Sequence, residues 1–304
     1  MASLKEVKTR INSVQSTRKI TSAMKMVASA KLHKAQGAIE HMLPYQRQLN
    51  KILHNFLSGD LSIESPYVEE REVKRVAIVL FSSNSSLCGA FNANVIKMFL
   101  HTIGEYRKLG QDNILIYPIG RKVEEAVKKM GFFPKGSYQQ LADKPTYQEA
   151  SALAEHLMEL FVSKDIDRVE LIYHHFKSMG VQELVREKYL PIDLTRIEEE
   201  QAEEMEGNQV MNDYIVEPSV EQFIADLIPK VLCQEVFTAA MDSNASEHAA
   251  RTLAMQVATD NANELIQDLT KQYNKGRQQA ITNELLDIIC LLYTSPSPRD
   301  RSLS

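Results

Sequence analysis

Hydrophobic residues near the start of the chain recur at alternating steps of three and four. The first run is Leu4, Val7, Ile11 and Val14. A second run is Ala28, Leu32, Ala35, Ile39 and Met42. Such steps place side chains on one stripe of an α-helix and are typical of a coiled-coil seam. We predict a coiled-coil helix over residues 1–58, with a local break where the stripe shifts onto Ile20, Met24 and Val27.

The last third of the chain carries the same rhythm. Its seam is Met241, Ala245, His248, Thr252, Met255, Thr259, Ala262, Ile266, Leu269 and Tyr273. The stretch from Pro229 to Gly276 has no internal Gly or Pro, and as a helix it would extend about 70 Å, so it must pack against another long helix or inside another protein. We predict a C-terminal coiled-coil helix over residues 219–289. It is expected to pair antiparallel with the first helix, because the chain must return from whatever lies between them.

Short apolar runs rich in β-branched residues lie between the two helices. They occur at residues 75–83, 114–120, 168–176 and, more weakly, 183–191. Helical patterns separate the first three runs, at residues 94–109, 121–130 and 147–163. This alternation predicts a mostly parallel sheet, with the last two strands forming a hairpin around Gly180. The predicted class is α/β: a Rossmann-like domain over residues 70–195, inserted into a long antiparallel coiled coil.

The α/β domain lacks the sequence signals of a nucleotide site or of catalysis. A dinucleotide site needs G-x-G-x-x-G after the first strand, whereas residues 82–92 read SSNSSLCGAFN. We interpret this segment as a turn whose following helix is capped by Ser and Asn. Cys88, His174 and His175 belong to no catalytic or metal-binding spacing. We therefore predict no cofactor, no metal and no catalytic residue.

Charge is distributed unevenly, although the formal net charge is only −5. Residues 1–36 contain Glu6 as their single acid and these bases: Lys5, Lys8, Arg10, Arg18, Lys19, Lys25, Lys31 and Lys34. Residues 196–218, which we interpret as a solvated acidic loop and connection, contain Glu198, Glu199, Glu200, Glu203, Glu204 and Glu206. This asymmetry indicates a partner surface of opposite charge.

Two alternatives remain open from the residues alone. One is a coiled-coil scaffold that binds nucleic acid or an anionic membrane, and the other is an α/β enzyme with helical arms. The first aromatic residue is Tyr45, so the basic N-terminal segment lacks the aromatic side chains that stack on bases or anchor a helix at a membrane interface. No apolar run approaches the ~20 residues that span a bilayer.

Three segments resemble the γ-subunit family of the F-type ATP synthase, bacterial type. They are MASLKEVKTRINSVQSTRKITSAMKMVASAKLHKAQ, SLCGAFN, and ASEHAARTLAMQVATDNANELIQDL followed by YNKGRQQAITNELLDII. The resemblance extends from Met1 to about Ile289. It implies a non-catalytic rotor shaft inside a hexamer of α and β subunits, with the α/β domain resting on the membrane c-ring beside the ε subunit. It also implies a peripheral protein at the cytoplasmic face of the cell membrane, with no membrane insertion of its own and no nucleic-acid partner.

The same resemblance implies roles for individual residues. Met24 matches a position that meets a β-subunit catch loop, and Arg277, Gln278 and Thr282 match polar positions in the opposite helix's part of that contact. Arg251 matches a further rotor arginine. Tyr214 and Glu217 match positions that face the c-ring. This chain departs from the family at Asn84, Ser85 and Ser86, where many members have Asp-Arg-Gly.

The end of the chain also departs from the family pattern. Leu291 and Leu292 stand where the family signature has Gly-Ala, and Pro296 and Pro298 oppose a continuing helix. We predict that residues 290–304 are not native to the protein and carry no function.

Overall fold

The computed structural model describes residues 3–57, 65–192, 216–217 and 219–294. The helices are α1 (Leu4–Leu57), α2 (Phe91–Tyr106), α3 (Arg121–Lys129), α4 (Gln139–Asp143), α5 (Tyr147–Val162) and α6 (Val220–Thr294). The strands are β1 (Val76–Phe81), β2 (Ile114–Ile119), β3 (Arg168–Phe176) and β4 (Gln182–Leu190). The chain divides into two compact units. We name Met1–Met26 with Met255–Ser304 the coil unit, and Val27–Ala254 the domain unit.

The four strands form one sheet in the order β2-β1-β3-β4. Strand β1 runs parallel to β2 and β3, while β3 and β4 are antiparallel neighbours. The predicted parallel sheet and its terminal hairpin are therefore confirmed. Every residue of β1 is buried, as expected for a central strand covered on both faces.

Alternate residues of β1 enter two separate hydrophobic clusters. Val76, Ile78 and Leu80 pack with residues of α2 and α3 on one face. Ala77, Val79 and Phe81 face a larger cluster built from these further residues: Leu53, Leu153, Leu157, Phe161, Ile228, Leu232 and Val236. Because α1 and α6 contribute to that cluster, the compact domain unit is wider than the predicted domain over residues 70–195.

Local signals in the sequence explain where two of the helices begin. The backbone NH of Glu6 donates to Ser3 Oγ at 3.2 Å, and the NH of Ser3 donates to Glu6 Oε2 at 2.9 Å. This reciprocal pair is a capping box, which satisfies two donors at the start of α1. Thr146 caps α5 in a related way, its hydroxyl accepting from the NH of Glu149.

Helices α1 and α6 pair antiparallel within each unit. In the domain unit, Leu32, Ala35, Ile39, Met241, Ala245 and Ala249 belong to one hydrophobic cluster. In the coil unit, the Thr21 and Thr259 hydroxyls are 2.9 Å apart, and Arg18 Nη1 donates to Asn263 Oδ1 at 3.3 Å. Since the numbers fall along one helix as they rise along the other, the predicted antiparallel coiled coil is confirmed.

The predicted break in the α1 seam is wrong. Ile20 and Val27 are 60% and 59% exposed, so the stripe does not shift onto them. Thr21 is buried and Arg18 and Lys25 are half-buried, and all three contact α6, whereas Ser22 and Met24 are half-buried beside this line. Arg18, Thr21 and Lys25 continue the steps of four and three, so the heptad is uninterrupted. A search for apolar residues misses them because they are polar.

The predicted end of the last helix at residue 289 is also wrong. Helix α6 continues to Thr294, because the apolar residues after Ile289 are compatible with a helix and the first opposing residue is Pro296. In the coil unit, Leu4 at the start of α1 lies against Gly276, where an added Cβ would be 3.1 Å from Leu4 Cδ2. Residues Ile281–Leu291 of α6 extend beyond that level, and all are exposed.

Candidate functional site

The part of α6 that extends beyond α1 is a candidate interaction surface, and we name its residues 277–289, which precede the predicted non-native tail, the tip surface. Arg277, Gln278 and Thr282 are all exposed there, and the Thr282 hydroxyl donates to the Gln278 carbonyl at 2.9 Å. The surface also exposes large apolar side chains: Ile281, Leu285, Leu286, Ile288 and Ile289. Such a concentration of exposed apolar residues is typical of a surface that contacts another protein.

Met24 lies at a different level of the coil unit. It is half-buried beside Lys25, whose ammonium donates to Gln256 Oε1. Arg277 is 21 residues further along α6 than Gln256, or about 30 Å in a helix. Met24 and the polar residues of the tip surface therefore belong to two separate places on this chain, and one partner loop would not reach both.

Arg251 is 9% exposed and lies in the interior of the domain unit. Its Nη1 forms an ion pair with Glu247, one turn earlier on α6. Its Nη2 donates to Ser85 Oγ at 2.9 Å and approaches the Ser85 and Ser86 carbonyls at 3.3 and 3.5 Å. Burial raises the pKa of the Glu247 carboxyl, and the Arg251 guanidinium lowers it in opposition. In the structure, Arg251 thus binds its own chain.

Ser85 belongs to the segment that follows β1, residues 82–90, which we name the β1 loop. The predicted Ser or Asn cap of the following helix is wrong, since no side chain caps α2 at Ala90. Asn92 instead holds the loop, accepting from the NH of Ser83 at 3.1 Å and donating to Ser83 Oγ at 2.8 Å. Asn84 Nδ2 donates to the Gln139 carbonyl at 2.7 Å.

The β1 loop lies at the carboxyl ends of the parallel strands. In α/β sheets, ligands bind at this edge where the strand order reverses, which here is between β1 and β3. Helix α6 occupies that position: the Ser246 hydroxyl donates to the His174 carbonyl at 3.1 Å, and Asp242 pairs with His175 at 2.6 Å. The cavity left beside them is about 10 Å³, far too small for a nucleotide.

Two histidines are buried in this region, and their imidazoles are held neutral. Burial lowers the pKa of His174 to about 4, and burial together with Lys31 and Arg251 lowers the pKa of His248 to about 4. The pKa of His175 shifts the other way, because its hydrogen bond with Asp242 favours the protonated ring. Among the described residues, no group of three or more His, Cys, Asp or Glu could hold a metal ion.

The comparisons with known proteins agree on one family. The sequence model of the family described as ATP synthase matches residues 3–290. The ATP synthase gamma chain of Bacteroides fragilis is 80% identical over 289 residues, which cover 95% of this chain and 98% of the relative. This chain belongs to the ATP synthase gamma chain family. The gamma chain of Bacteroides thetaiotaomicron is 76% identical over 293 residues, with the same coverage of 95% and 98%.

Solved structures share the gamma-chain fold at low identity. One is the Euglena gracilis mitochondrial ATP synthase, OSCP/F1/c-ring in rotational state 3, with TM-score 0.65, 19% identity and coverage of 95% of this chain and 93% of that chain. Another is the central stalk and c-ring of the Tetrahymena thermophila enzyme, with TM-score 0.56, 22% identity and coverage of 79% and 99%. No helix in the described part of this gamma-family chain is long and apolar enough to cross a membrane.

The structure describes one of the two residues that match c-ring positions and does not describe the acidic segment. Glu217 is exposed, whereas Tyr214 and the acidic segment Glu198–Glu206 lie outside the described residues. Of the partners of Arg251, Glu247 was missed in the sequence, and Ser85 was noted only as a departure from the family pattern. Glu247 precedes Arg251 by four residues, a spacing that favours an ion pair on a helix and was the available signal.

Proposed function

We propose that this chain is the central rotor shaft of a bacterial F-type ATP synthase. It couples proton flow through the membrane c-ring to ATP synthesis and hydrolysis in the α3β3 hexamer. The catalytic nucleotide sites belong to the α and β subunits, so this chain is a non-catalytic subunit. The domain unit contacts the ε subunit and the c-ring at the cytoplasmic face of the membrane.

The tip surface is the observation that carries this proposal. An isolated helix end with many exposed apolar side chains is costly in water, and its burial in a partner removes that cost. A ring of subunits around α6 would bury all sides of the tip at once. The exposed bases of α1, among them Lys5, Lys8, Arg10, Lys19 and Lys34, suit a surrounding sleeve that offers acidic loops.

Individual contacts follow from the same proposal. Met24 meets a catch loop of a β subunit, while Arg277, Gln278 and Thr282 contact the hexamer separately through the tip surface. Tyr214 and Glu217 contact the c-ring. The role of Arg251 in coupling is indirect, since its side chain is occupied within the domain unit.

The experiment compares Met24→Lys with Met26→Lys in the complex assembled with α and β subunits and reconstituted into membrane vesicles. Met26 is exposed two positions away, on another side of the same helix, and provides a matched control. A new cation at residue 24 is expected to favour one rotary angle by about 1 kcal/mol, the scale of a partly exposed ion pair. The Met24 variant should therefore pump fewer protons per ATP hydrolysed, while both variants assemble.

Two results would contradict the proposal. Equal pumping ratios in wild type and both variants would remove Met24 from the coupling contact. A chain that elutes with nucleic acid, with steep salt dependence, and not with nucleotide-binding subunits would contradict the rotor function itself.

A further inference from the structure

The β1 loop contains a residue in an unfavourable backbone conformation. Leu87 has φ 68°, in the left-handed region that residues other than Gly rarely adopt. Its side chain is 60% exposed, so its own burial does not compensate for this conformation. A residue in such a conformation persists only where the surrounding contacts hold it. The contacts that hold Leu87 must therefore come from its neighbours in the loop.

Two sets of contacts hold those neighbours, one from α2 and α4 and one from α6. Asn92 of α2 donates to Ser83 Oγ and to the Sγ of Cys88, which is buried directly after Leu87. Asn84 donates to the carbonyl of Gln139, the first residue of α4. Arg251 reaches the loop from α6 and binds it at Ser85 and Ser86, directly before Leu87. Of these contacts, those made by Arg251 alone connect the loop to α6.

The arrangement around Arg251 requires the shape of its guanidinium group. One nitrogen pairs with Glu247 on α6, while another donates to Ser85 in the β1 loop. A lysine ammonium is a compact charge on a flexible stem and does not reproduce a planar fork that serves two directions. Glu247 in turn keeps the guanidinium aimed at the loop, because the carboxylate is itself 7% exposed and needs a cation.

We propose that Arg251 is a positioning residue that fixes the β1 loop to helix α6, so that torque carried by α6 reaches the β1 loop as well as β3, which α6 contacts through Ser246 and Asp242. Glu247 orients the guanidinium, and Ser85 and Ser86 receive it. The contribution to torque transfer rests on the proposed rotor function. The immobilisation of the loop does not, because it is a property of this chain alone.

The first measurement is hydrogen–deuterium exchange of the purified full-length chain. Arg251→Ala should speed the exchange of amides 84–89 by about tenfold or more, because local opening would no longer break contacts with α6. Arg251→Lys should not restore protection. Ser85→Ala should have a smaller effect, about threefold, and little further effect in the Arg251→Ala background, because both variants remove the same contact.

Arg186→Ala is the matched control. Arg186 is a partly buried arginine of the same unit that binds Glu170 through two nitrogens, at 2.8 and 3.0 Å, away from the β1 loop. It should destabilise the domain unit without changing exchange in residues 84–89. Unchanged loop exchange in Arg251→Ala, or equal increases in Arg251→Ala and Arg186→Ala, would overturn the proposal. Ser85 is exposed, so Ser85→Ala keeps the test decisive if Arg251→Ala fails to fold.

The second measurement is the ratio of proton pumping to ATP hydrolysis in the assembled complex. Arg251→Ala should lower this ratio by about half or more, and Arg186→Ala should leave it unchanged. An unchanged ratio in Arg251→Ala, with a mobile loop, would overturn the torque role. Failure of the wild-type chain to assemble with α and β subunits would instead reject the rotor function, and the exchange data would still judge the contact between Arg251 and the loop.

Discussion

The pairing of α1 with α6 uses two different chemistries in its two units. We name Leu32, Ala35, Ile39, Met241, Ala245 and Ala249 of the domain unit the apolar seam. We name Arg18, Thr21, Lys25, Gln256, Thr259 and Asn263 of the coil unit the polar seam. The apolar seam is fully buried, whereas the polar seam includes half-buried residues joined by hydrogen bonds.

The comparison shows that the spacing of the contact positions and the stability they contribute are independent properties of this coiled coil. On α1 both seams follow the same alternation of three and four residues, so the same heptad positions of α1 face α6 in each unit. Apolar burial stabilises folding in proportion to the area removed from water, while a hydrogen bond that replaces one to water contributes about 1 kcal/mol or less. The apolar seam therefore supplies stability, and the polar seam supplies register and specific partners at little net gain.

The largest expected effect is at the apolar seam. Leu32→Ala should lower the free energy of unfolding by about 3 kcal/mol, because it removes buried methyl groups and leaves a cavity between helices. The measurement is denaturant unfolding of the purified chain, followed by circular dichroism. Ile20→Ala removes a mostly exposed apolar side chain from the same helix and should change stability by less than about 0.5 kcal/mol. Similar losses in both variants would contradict the assignment of Leu32, and not Ile20, to the seam.

The next effect concerns pH, because the buried His248 lies on α6 directly before Ala249 of the apolar seam. Its pKa is lowered to about 4 when folded, against 6.5 for an exposed histidine, mainly by burial. The unfolded chain therefore binds the proton first as the pH falls, and stability decreases between pH 6.5 and pH 4. At pH 5 the loss at this residue should be about 2 kcal/mol.

The test is the melting temperature of wild type and His248→Leu between pH 7 and pH 5. Lys31, Arg251 and Asp143 face His248 and act on it in both proteins, so the difference between the two slopes reports the histidine. The variant should lose less stability on acidification. Parallel curves would show that His248 is not buried in its neutral form. His175 acts in the opposite direction, since its raised pKa adds stability as the pH falls.

The helices and strands with periodic apolar residues were predictable from the sequence. The strands and main helices follow apolar periodicity, and the observed bounds of β2 and β3 are within one residue of the prediction. The polar seam was not predictable from apolar residues, because Arg18, Thr21 and Lys25 act through spacing and cross-helix bonds. Extending the rhythm of Leu4 to Val14 by counting alone would have located them.

The candidate functional residues also include some whose placement the sequence predicts and some whose placement depends on distant contacts. The exposure of Arg277, Gln278 and Thr282 follows from their position near the end of a helix, and the family resemblance singled these residues out in the sequence. The burial of Arg251 did not follow from the local pattern, because its acceptors at Ser85 and Ser86 are far away in sequence. That contact depends on the packing of α6 at the carboxyl ends of β1 and β3, which the local sequence does not encode.

The smallest expected effect is at the polar seam. Thr21→Val combined with Thr259→Val replaces a pair of facing hydroxyls, 2.9 Å apart, with apolar groups of the same shape. Removing both partners leaves no unsatisfied group, so stability should stay the same or rise by up to about 1 kcal/mol. Thr270→Val is the control, because Thr270 bonds only to the Ile266 carbonyl of its own helix, as Thr259 does to Met255, and is exposed. Denaturant unfolding measures all three proteins. If the double variant loses more than about 1 kcal/mol relative to the control, the hydroxyl pair stabilises the coil itself, and the division between a stabilising apolar seam and a register-setting polar seam is wrong.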